Sequence, residues 1–264
     1  MYLEKDSSGG WSFGRLANRA AFFGDGIFET MVFSNGRIRF ANHHLARLNS
    51  GLRVLQLASK GFSTLKDLEK SLVNTLGKEE NWRVRWNIFR AGLGKYTPTT
   101  EGIRETLYIQ PFQSAPLIKK TSALSKTIKL YPTPWANCKT LNALPYVMAN
   151  MERVSLGVDE ILLTDGDGYL SEAGAANLFW KKDNTFYTPS LTHNCIAGVA
   201  RAALIAHLKK KNIPLQEVSQ KVDSIREADQ VFTTNVTGVS FISSFEDTVF
   251  DPTSIPVVQQ VFSF

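Results

Sequence analysis

Apolar and polar positions alternate strictly over residues 82–90: Trp82, Val84, Trp86 and Ile88 are interleaved with Arg83, Arg85 and Asn87. A period of two predicts a strand with the four apolar side chains on one face. Upstream, "GIFETMVFSNGRIRF" (26–40) sets two apolar-rich runs around Ser34-Asn35-Gly36, a hairpin with an Asn-Gly turn. The period then lengthens. "ANHHLARLNSGLRVLQL" (41–57) places Leu45, Leu48, Leu52 and Leu55 on one helical face, with Asn42 as candidate N-cap. "STLKDLEKSLVNTLG" (63–77) predicts a second helix with Gly77 just past its end, and "ETLYIQPF" (105–112) a further strand.

Residues 112–126, "FQSAPLIKKTSALSK", break both periods and read as an interdomain connection. Beyond them, "LYPTPWA" holds two prolines and is extended or turning. Leu141, Leu144, Val147 and Met148 recur at helical spacing, so a helix is expected from about Thr140. "EILLTDGDGYLSE" and "NLFWKKDNTFYTP" predict two hairpins, "GVARAALIAHLKKK" a helix entered through Gly198, and "ADQVFTTN" a strand running into the turn "VTGV". The pattern is α+β with largely antiparallel sheets in two domains: a smaller N-terminal unit over 1–112, a connection over 113–126 and a larger unit over 127–264.

Composition narrows the picture. The 264 residues are 43% hydrophobic and 20% charged, as in an ordinary globular protein. The net charge of +6 is scattered, and Lys209-Lys210-Lys211 follows an apolar helix, where cations suit the C-terminus. That argues against a nucleic-acid surface and is compatible with an anionic substrate. The two cysteines, Cys138 and Cys195, form no metal-ligand spacing. No run reaches the roughly 18 apolar residues of a membrane span, and the polar first segment lacks an apolar signal core. The expectation is a soluble cytoplasmic protein with no metal, membrane or nucleic-acid partner.

Six segments, in order, carry a resemblance: "FFGDGIFETMVFSNGRI", "HLARL", "FRAG", "KTLNALPYVMAN", "LSEAGAANLFWKKDNTFYTPSL" and "AGVAR". Together they are similar to the fold-type-IV pyridoxal-phosphate enzymes, which include branched-chain aminotransferases, D-amino-acid aminotransferases and aminodeoxychorismate lyases. The similarity runs from about residue 19 to 242 and implies the two-domain, D-amino-acid aminotransferase-like fold, the cofactor pyridoxal 5′-phosphate and a homodimer.

The resemblance also implies roles. Lys139 matches the lysine that joins the cofactor aldehyde through an imine, which requires a lowered pKa. Glu172 matches the carboxylate on the pyridine nitrogen, and Asn177 lies close behind it. Arg47 matches the phosphate arginine. Val199 and Ala200, opening a helix, match the phosphate-binding turn, although Ala200 lacks the hydroxyl many members carry there. Val236 and Thr237 match a second phosphate loop, with Asn235 an alternative. Arg90, where the strand meets a glycine loop, matches a substrate-side arginine suited to a carboxylate. Phe28 stands where D-amino-acid aminotransferases tend to carry tyrosine. Arg83 and Arg85 read as surface residues of their strand, His43 and His44 as structural, and Cys138 as a packed small residue. "AANLFW" and "YTP" are most similar to the lyases. The expected activity is therefore conversion of 4-amino-4-deoxychorismate to 4-aminobenzoate and pyruvate, in folate-precursor synthesis, on a small anionic substrate carrying an amino group. An aminotransferase for branched-chain or D-amino acids is the alternative, and a cofactor-free binding module the third reading.

Overall fold

The structure is a computed structural model that describes residues 3–5, 11–13, 18–57 and 61–263. A four-stranded antiparallel sheet is built from Arg37–Ile38, Gly26–Ser34, Trp82–Arg90 and Ile103–Pro111, in that spatial order. The first turn forms because Asn35 and Gly36 take positive φ, 51° and 74°, which matches the twist of a tight hairpin. Register sets Ile27 against Ile88 and Met31 against Val84. These residues, with Phe33 and Trp86, face two helices, Ala41–Val54 and Leu65–Leu76, and bury Leu48, Leu52, Leu68 and Leu72. The second helix opens on a reciprocal Thr64–Asp67 capping box and closes at Gly77.

The first helix departs from expectation. It begins after Phe40, itself in the left-handed region, and Asn42 makes no cap. Its inward positions are His44, Leu48, Gly51 and Leu52, while Leu45 is 45% exposed. Leu48 and Leu52 stay inward as expected, but the face extends to His44 instead of Leu45, which places an imidazole rather than a leucine beside the acid on the facing strand.

The remaining strands form two sheets. One runs Leu215–Val218, Thr185–Pro189, Asn177–Lys182, Gln230–Asn235, Gly238–Ile242, Ile118–Lys119. The other runs Leu170–Ala173, Glu160–Asp165, Ser122–Leu130, Ser244–Phe245, Thr248–Val249. Both predicted hairpins are present, but each sheet also carries parallel pairs, Thr185–Pro189 with Leu215–Val218 and Ser122–Leu130 with Glu160–Asp165 among them. The stretch read as a connection is structured from Ile118 onward, its polar residues being those of partly exposed strands. The sheets share a core that includes Leu162, Leu170, Leu178, Val231, Ile242 and Phe245. The outer face of the six-stranded sheet is closed by helices Val199–Lys210 and Pro256–Phe262 over Phe179, Phe232 and Phe241. The helix Leu144–Ser155 lies on the five-stranded sheet through Ala149. Among the described residues, no helix is long and apolar enough to cross a membrane.

The helix expected from Thr140 starts at Leu144 instead, because the residues before it are engaged elsewhere. Along Gly26–Phe28 the strand is paired with Trp82–Arg90 on one side only. The open edge is taken by the irregular segment around Lys139. Phe28 N–H donates to Lys139 O at 2.9 Å, Leu141 N–H donates to Gly26 O at 2.9 Å, and Ile27 bridges Thr140. Of the apolar residues whose spacing marked this helix, Leu144, Val147 and Met148 are exposed, as are Met151 and Val154 on its later turns.

A side chain at position 26 would disturb this junction. A Cβ there would meet Ile88 O at 2.5 Å and Phe89 Cβ at 2.6 Å. Gly26→Ala is expected to destabilise the fold by about 1–3 kcal/mol, measured as a lowered denaturant midpoint at unchanged m-value.

Candidate active site

A cavity of about 650 Å³ opens where the 137–143 segment, the Leu144–Ser155 helix, the start of the Val199–Lys210 helix and the 234–237 turn meet the Gly26–Ser34 strand. Of the residues the sequence singled out, Phe28, Arg47, Lys139, Glu172, Asn177, Val199, Ala200, Val236 and Thr237 all line it, as does Asn235. Arg90 does not.

Lys139 stands at the centre. Its Nζ lies 4.8 Å from the centre of the Phe28 ring. Burial first, then the Arg47 charge, push the ammonium down to about 8, against the opposing pull of Glu29 and Glu172. A substantial share of the side chain is therefore a free amine near neutral to mildly alkaline pH. Beside it, Cys138 is buried and its thiol is pushed up by that burial, which disfavours the nucleophilic thiolate.

Across the cavity Glu172 is buried. Its Oε1 accepts from the Tyr146 hydroxyl at 2.6 Å and from Ile196 N–H at 3.0 Å, and its Oε2 from Asn177 Nδ2 at 3.3 Å. Burial raises the carboxyl to about 7 even though the Tyr146 and Ile196 bonds work in the opposite direction. Such an acid is held ready for a positively charged partner. Tyr146 was not singled out from the sequence, where it sits inside an apolar run. Its signal was the phenol itself, a buried polar tip that requires a partner. Asn177 also donates to Ile196 O at 2.9 Å, and its Oδ1 occupies the space a Cβ on Gly198 would need, 1.7 Å away. Only glycine lets the chain pass here.

The opposite end is a cup for an anion. The Val199–Lys210 helix begins after Gly198 with no side-chain cap, so its first N–H groups, at Val199 and Ala200 on the cavity wall, offer donors and the positive end of the helix dipole. Arg47 reaches the same corner, its outer nitrogen 3.5 Å from Ala197 O. In the second loop, Asn235 Oδ1 accepts from both the N–H and the hydroxyl of Thr237, at 2.9 and 2.6 Å. This is a side-chain-closed turn that fixes the loop's shape.

The substrate-side arginine is a correction. Arg90 shares the core-facing parity of Trp86 and Ile88. It is bound to Asp25 at 3.1 Å and to the carbonyls of Leu55 and Gln56 at 2.7 and 3.1 Å. The odd positions of that strand face the other way, so Arg83 and Arg85, read as surface residues, line the cavity. The Arg85 guanidinium stacks 3.6 Å from the centre of the Phe28 ring, and its Nε donates to Asn87 Oδ1 at 2.8 Å. The alternation that marked the strand already separated the two sets of arginines. Among the described lining residues, Arg47, Arg83, Arg85, Lys139 and Arg153 face a single acid, Glu172, so the cavity favours anions.

The amino-transferase class IV family model matches residues 26–245. The chain is 27% identical over 244 residues to an aminodeoxychorismate lyase of Vibrio harveyi, covering 89% of each chain. It is 24% identical over 225 residues to a branched-chain-amino-acid aminotransferase-like protein 2 of Arabidopsis thaliana; that match takes in 81% of this chain but only 40% of the longer relative. Among solved structures, the 4-amino-4-deoxychorismate lyase of Pseudomonas aeruginosa superposes with a TM-score of 0.80 at 26% identity, covering 95% of this chain and 93% of that one.

The electrostatics of Lys139 give a measurable outcome. In the cofactor-free protein, labelling of Lys139 by an acylating reagent, followed by peptide mass spectrometry, should reach half its plateau near pH 8. Glu172→Gln removes an anion that favours the ammonium and should move this midpoint down. Arg47→Gln removes a repelling cation and should move it up. A midpoint in the range of exposed lysines, about 10.4, would contradict the assignment.

Proposed function

Because the chain belongs to the class IV aminotransferases, a family of pyridoxal-phosphate-dependent enzymes, we propose that it is a lyase converting 4-amino-4-deoxychorismate to 4-aminobenzoate and pyruvate. The observation that carries this reading is the pair Arg83 and Arg85 on the cavity wall. The substrate bears two carboxylates, one on the ring and one on the enolpyruvyl arm, and two guanidinium groups suit them. The aminodeoxychorismate lyases among its relatives and structural neighbours support the same reading.

The residues present fit pyridoxal 5′-phosphate. Arg47 and the N–H groups of Val199 and Ala200 would hold the phosphate, with the turn at Asn235, Val236 and Thr237 closing the cup. Glu172, raised to about 7 and buried, would take the protonated ring nitrogen as its counter-charge, with Asn177 and Tyr146 fixing the carboxylate. Lys139 would hold the aldehyde. When bound, the cofactor supplies an electron sink for the pair left when a proton leaves the carbon bearing the amine.

The chain supplies the proton handling. Lys139 Nζ, near neutrality between amine and ammonium, takes the proton from that carbon. It then delivers a proton to the methylene carbon of the enolpyruvyl arm as the bond between the ring carbon and the arm's oxygen breaks. That oxygen becomes the keto oxygen of pyruvate, and the ring, having lost a proton and the arm from adjacent carbons, becomes aromatic. Arg83 and Arg85 hold the carboxylates during both transfers. Phe28 is in contact with both cations, the Arg85 guanidinium lying 3.6 Å and Lys139 Nζ 4.8 Å from the centre of its ring.

A branched-chain or D-amino-acid aminotransferase would use the same lysine and carboxylate, and the branched-chain relative speaks for it. A branched-chain amino acid presents one carboxylate and leaves the second arginine without a task, whereas a dicarboxylic amino or keto acid would engage both. For the assembly, we propose a homodimer: Leu144, Val147, Met148, Met151 and Val154 are exposed apolar side chains of one helix, three of them, Val147, Met151 and Val154, line the cavity, and a second copy would cover them.

Release of pyruvate and 4-aminobenzoate, assayed beside a panel of amino donors and keto acids, decides between the two readings. Transfer of amino groups without pyruvate release would overturn the lyase. Arg85→Lys keeps the charge and loses the planar fork. It should raise KM for aminodeoxychorismate by an amount equivalent to about 1.5–3 kcal/mol, with kcat little changed. Wild-type kinetics in this variant would remove the two-carboxylate argument.

A further inference from the structure

Glu29 is an acid in an unusual place. It lies on the core-facing side of the Gly26–Ser34 strand, opposite Trp86 in the register, and is 2% exposed. Its neighbours on this face, Ile27 and Met31, belong to the hydrophobic core. A carboxylate is retained in such surroundings only when fully paired. Here it is paired by one helix: Arg47 donates from Nε to Oε1 at 2.9 Å and from its second nitrogen to Oε2, while His44 Nδ1 lies 2.6 Å from Oε2. His44 and Arg47 are three residues apart and so share a helix face. Burial pushes the Glu29 carboxyl up, but the Arg47 charge and the hydrogen bonds outweigh it and bring it down to about 2.

His44 Nε2 is buried and has no hydrogen-bond partner, and burial holds the ring below the usual histidine range. Both facts favour the neutral ring with its proton on Nδ1, donated to Glu29. The acid then has three fixed donors and no freedom to turn. Two of the three nitrogens of Arg47 are thereby immobilised on it. The third donates to Ala197 O at 3.5 Å, two residues before the Val199–Lys210 helix begins, and Arg47 shares the cavity wall with Val199 and Ala200.

We infer that Glu29, braced by His44, is a positioning residue that fixes the outer nitrogen of Arg47 in the phosphate cup. The inference rests on the pyridoxal-phosphate reading of the site. It opposes simple electrostatics: removing a negative charge near an anion site should tighten anion binding, whereas removing a brace should weaken it.

The test measures the affinity of the full-length protein for pyridoxal 5′-phosphate and for pyridoxal, which lacks the phosphate, by spectral titration. Glu29→Gln should weaken the phosphorylated form about tenfold or more and leave pyridoxal unchanged. In an Arg47→Gln background, Glu29→Gln should have no further effect on the phosphorylated form, because the nitrogen it positions is gone. His44→Leu should weaken binding in the same selective way and His44→Gln should restore it, which keeps the test decisive if Glu29→Gln fails to fold. Unchanged or tighter binding of the phosphorylated form, or equal losses for both ligands, would overturn the brace. A wild-type protein that binds neither ligand, with no borohydride-fixed adduct on Lys139, would overturn the cofactor reading and the brace with it. Wild-type binding with an unresponsive Glu29→Gln would overturn the brace alone.

Discussion

The site depends on a short backbone seam. A strand whose edge is left unpaired over Gly26–Phe28 exposes N–H and C=O groups that must find partners. The segment around Lys139 supplies them through the bonds from Phe28 N–H to Lys139 O and from Leu141 N–H to Gly26 O. That seam ties the N-terminal sheet to the start of the second half of the chain. It sets Phe28 against Lys139, and it prevents residues 139–141 from joining the helix that follows. An irregular backbone with fixed partners is a rigid platform. The lysine is held as firmly as a residue in regular structure, while its side chain stays clear of a helix surface.

Around that platform, charge is arranged in opposition. Lys139 lies between cations that favour its neutral form and the acids Glu29 and Glu172 that favour the ammonium, with burial deciding the balance. Glu172 and Glu29 are both buried carboxylates, yet their environments divide them. Glu29 is flanked by a guanidinium and stays ionised. Glu172 has neutral donors, Tyr146, Asn177 and a backbone N–H, and is raised to about 7. Two groups of the same type, pushed in opposite directions by their partners, can serve as a permanent counter-ion and as an acceptor waiting for a cation.

Much of this was legible in the sequence wherever the signal was local. The Asn35-Gly36 turn, the helix end at Gly77 and the two later hairpins follow from short-range chemistry, and the segment resemblance pointed to Lys139, Glu172, Asn177 and Arg47, all of which line one cavity. What escaped needed a fact from a distant part of the chain. Which side of the Ala41–Val54 helix turns inward is set by Glu29, so Leu45 is outside and His44 inside. Where the Leu144–Ser155 helix begins is set by the open edge of a strand more than a hundred residues earlier. The arginines are a different case. Strand parity alone put Arg90 with Trp86 and Ile88, and Arg83 and Arg85 opposite.

Asn177 and Gly198 share one volume: the amide oxygen of the first fills the place of a Cβ on the second. The same amide holds Glu172 on one side and Ile196 on the other. A side chain at 198 requires the Asn177 amide to shrink or to turn away, and either loosens the acid and the turn leading into the helix together. The two ends of the cavity are thus tied through a single contact, and the route between alternative residues at these positions passes through a sequence impaired at both ends.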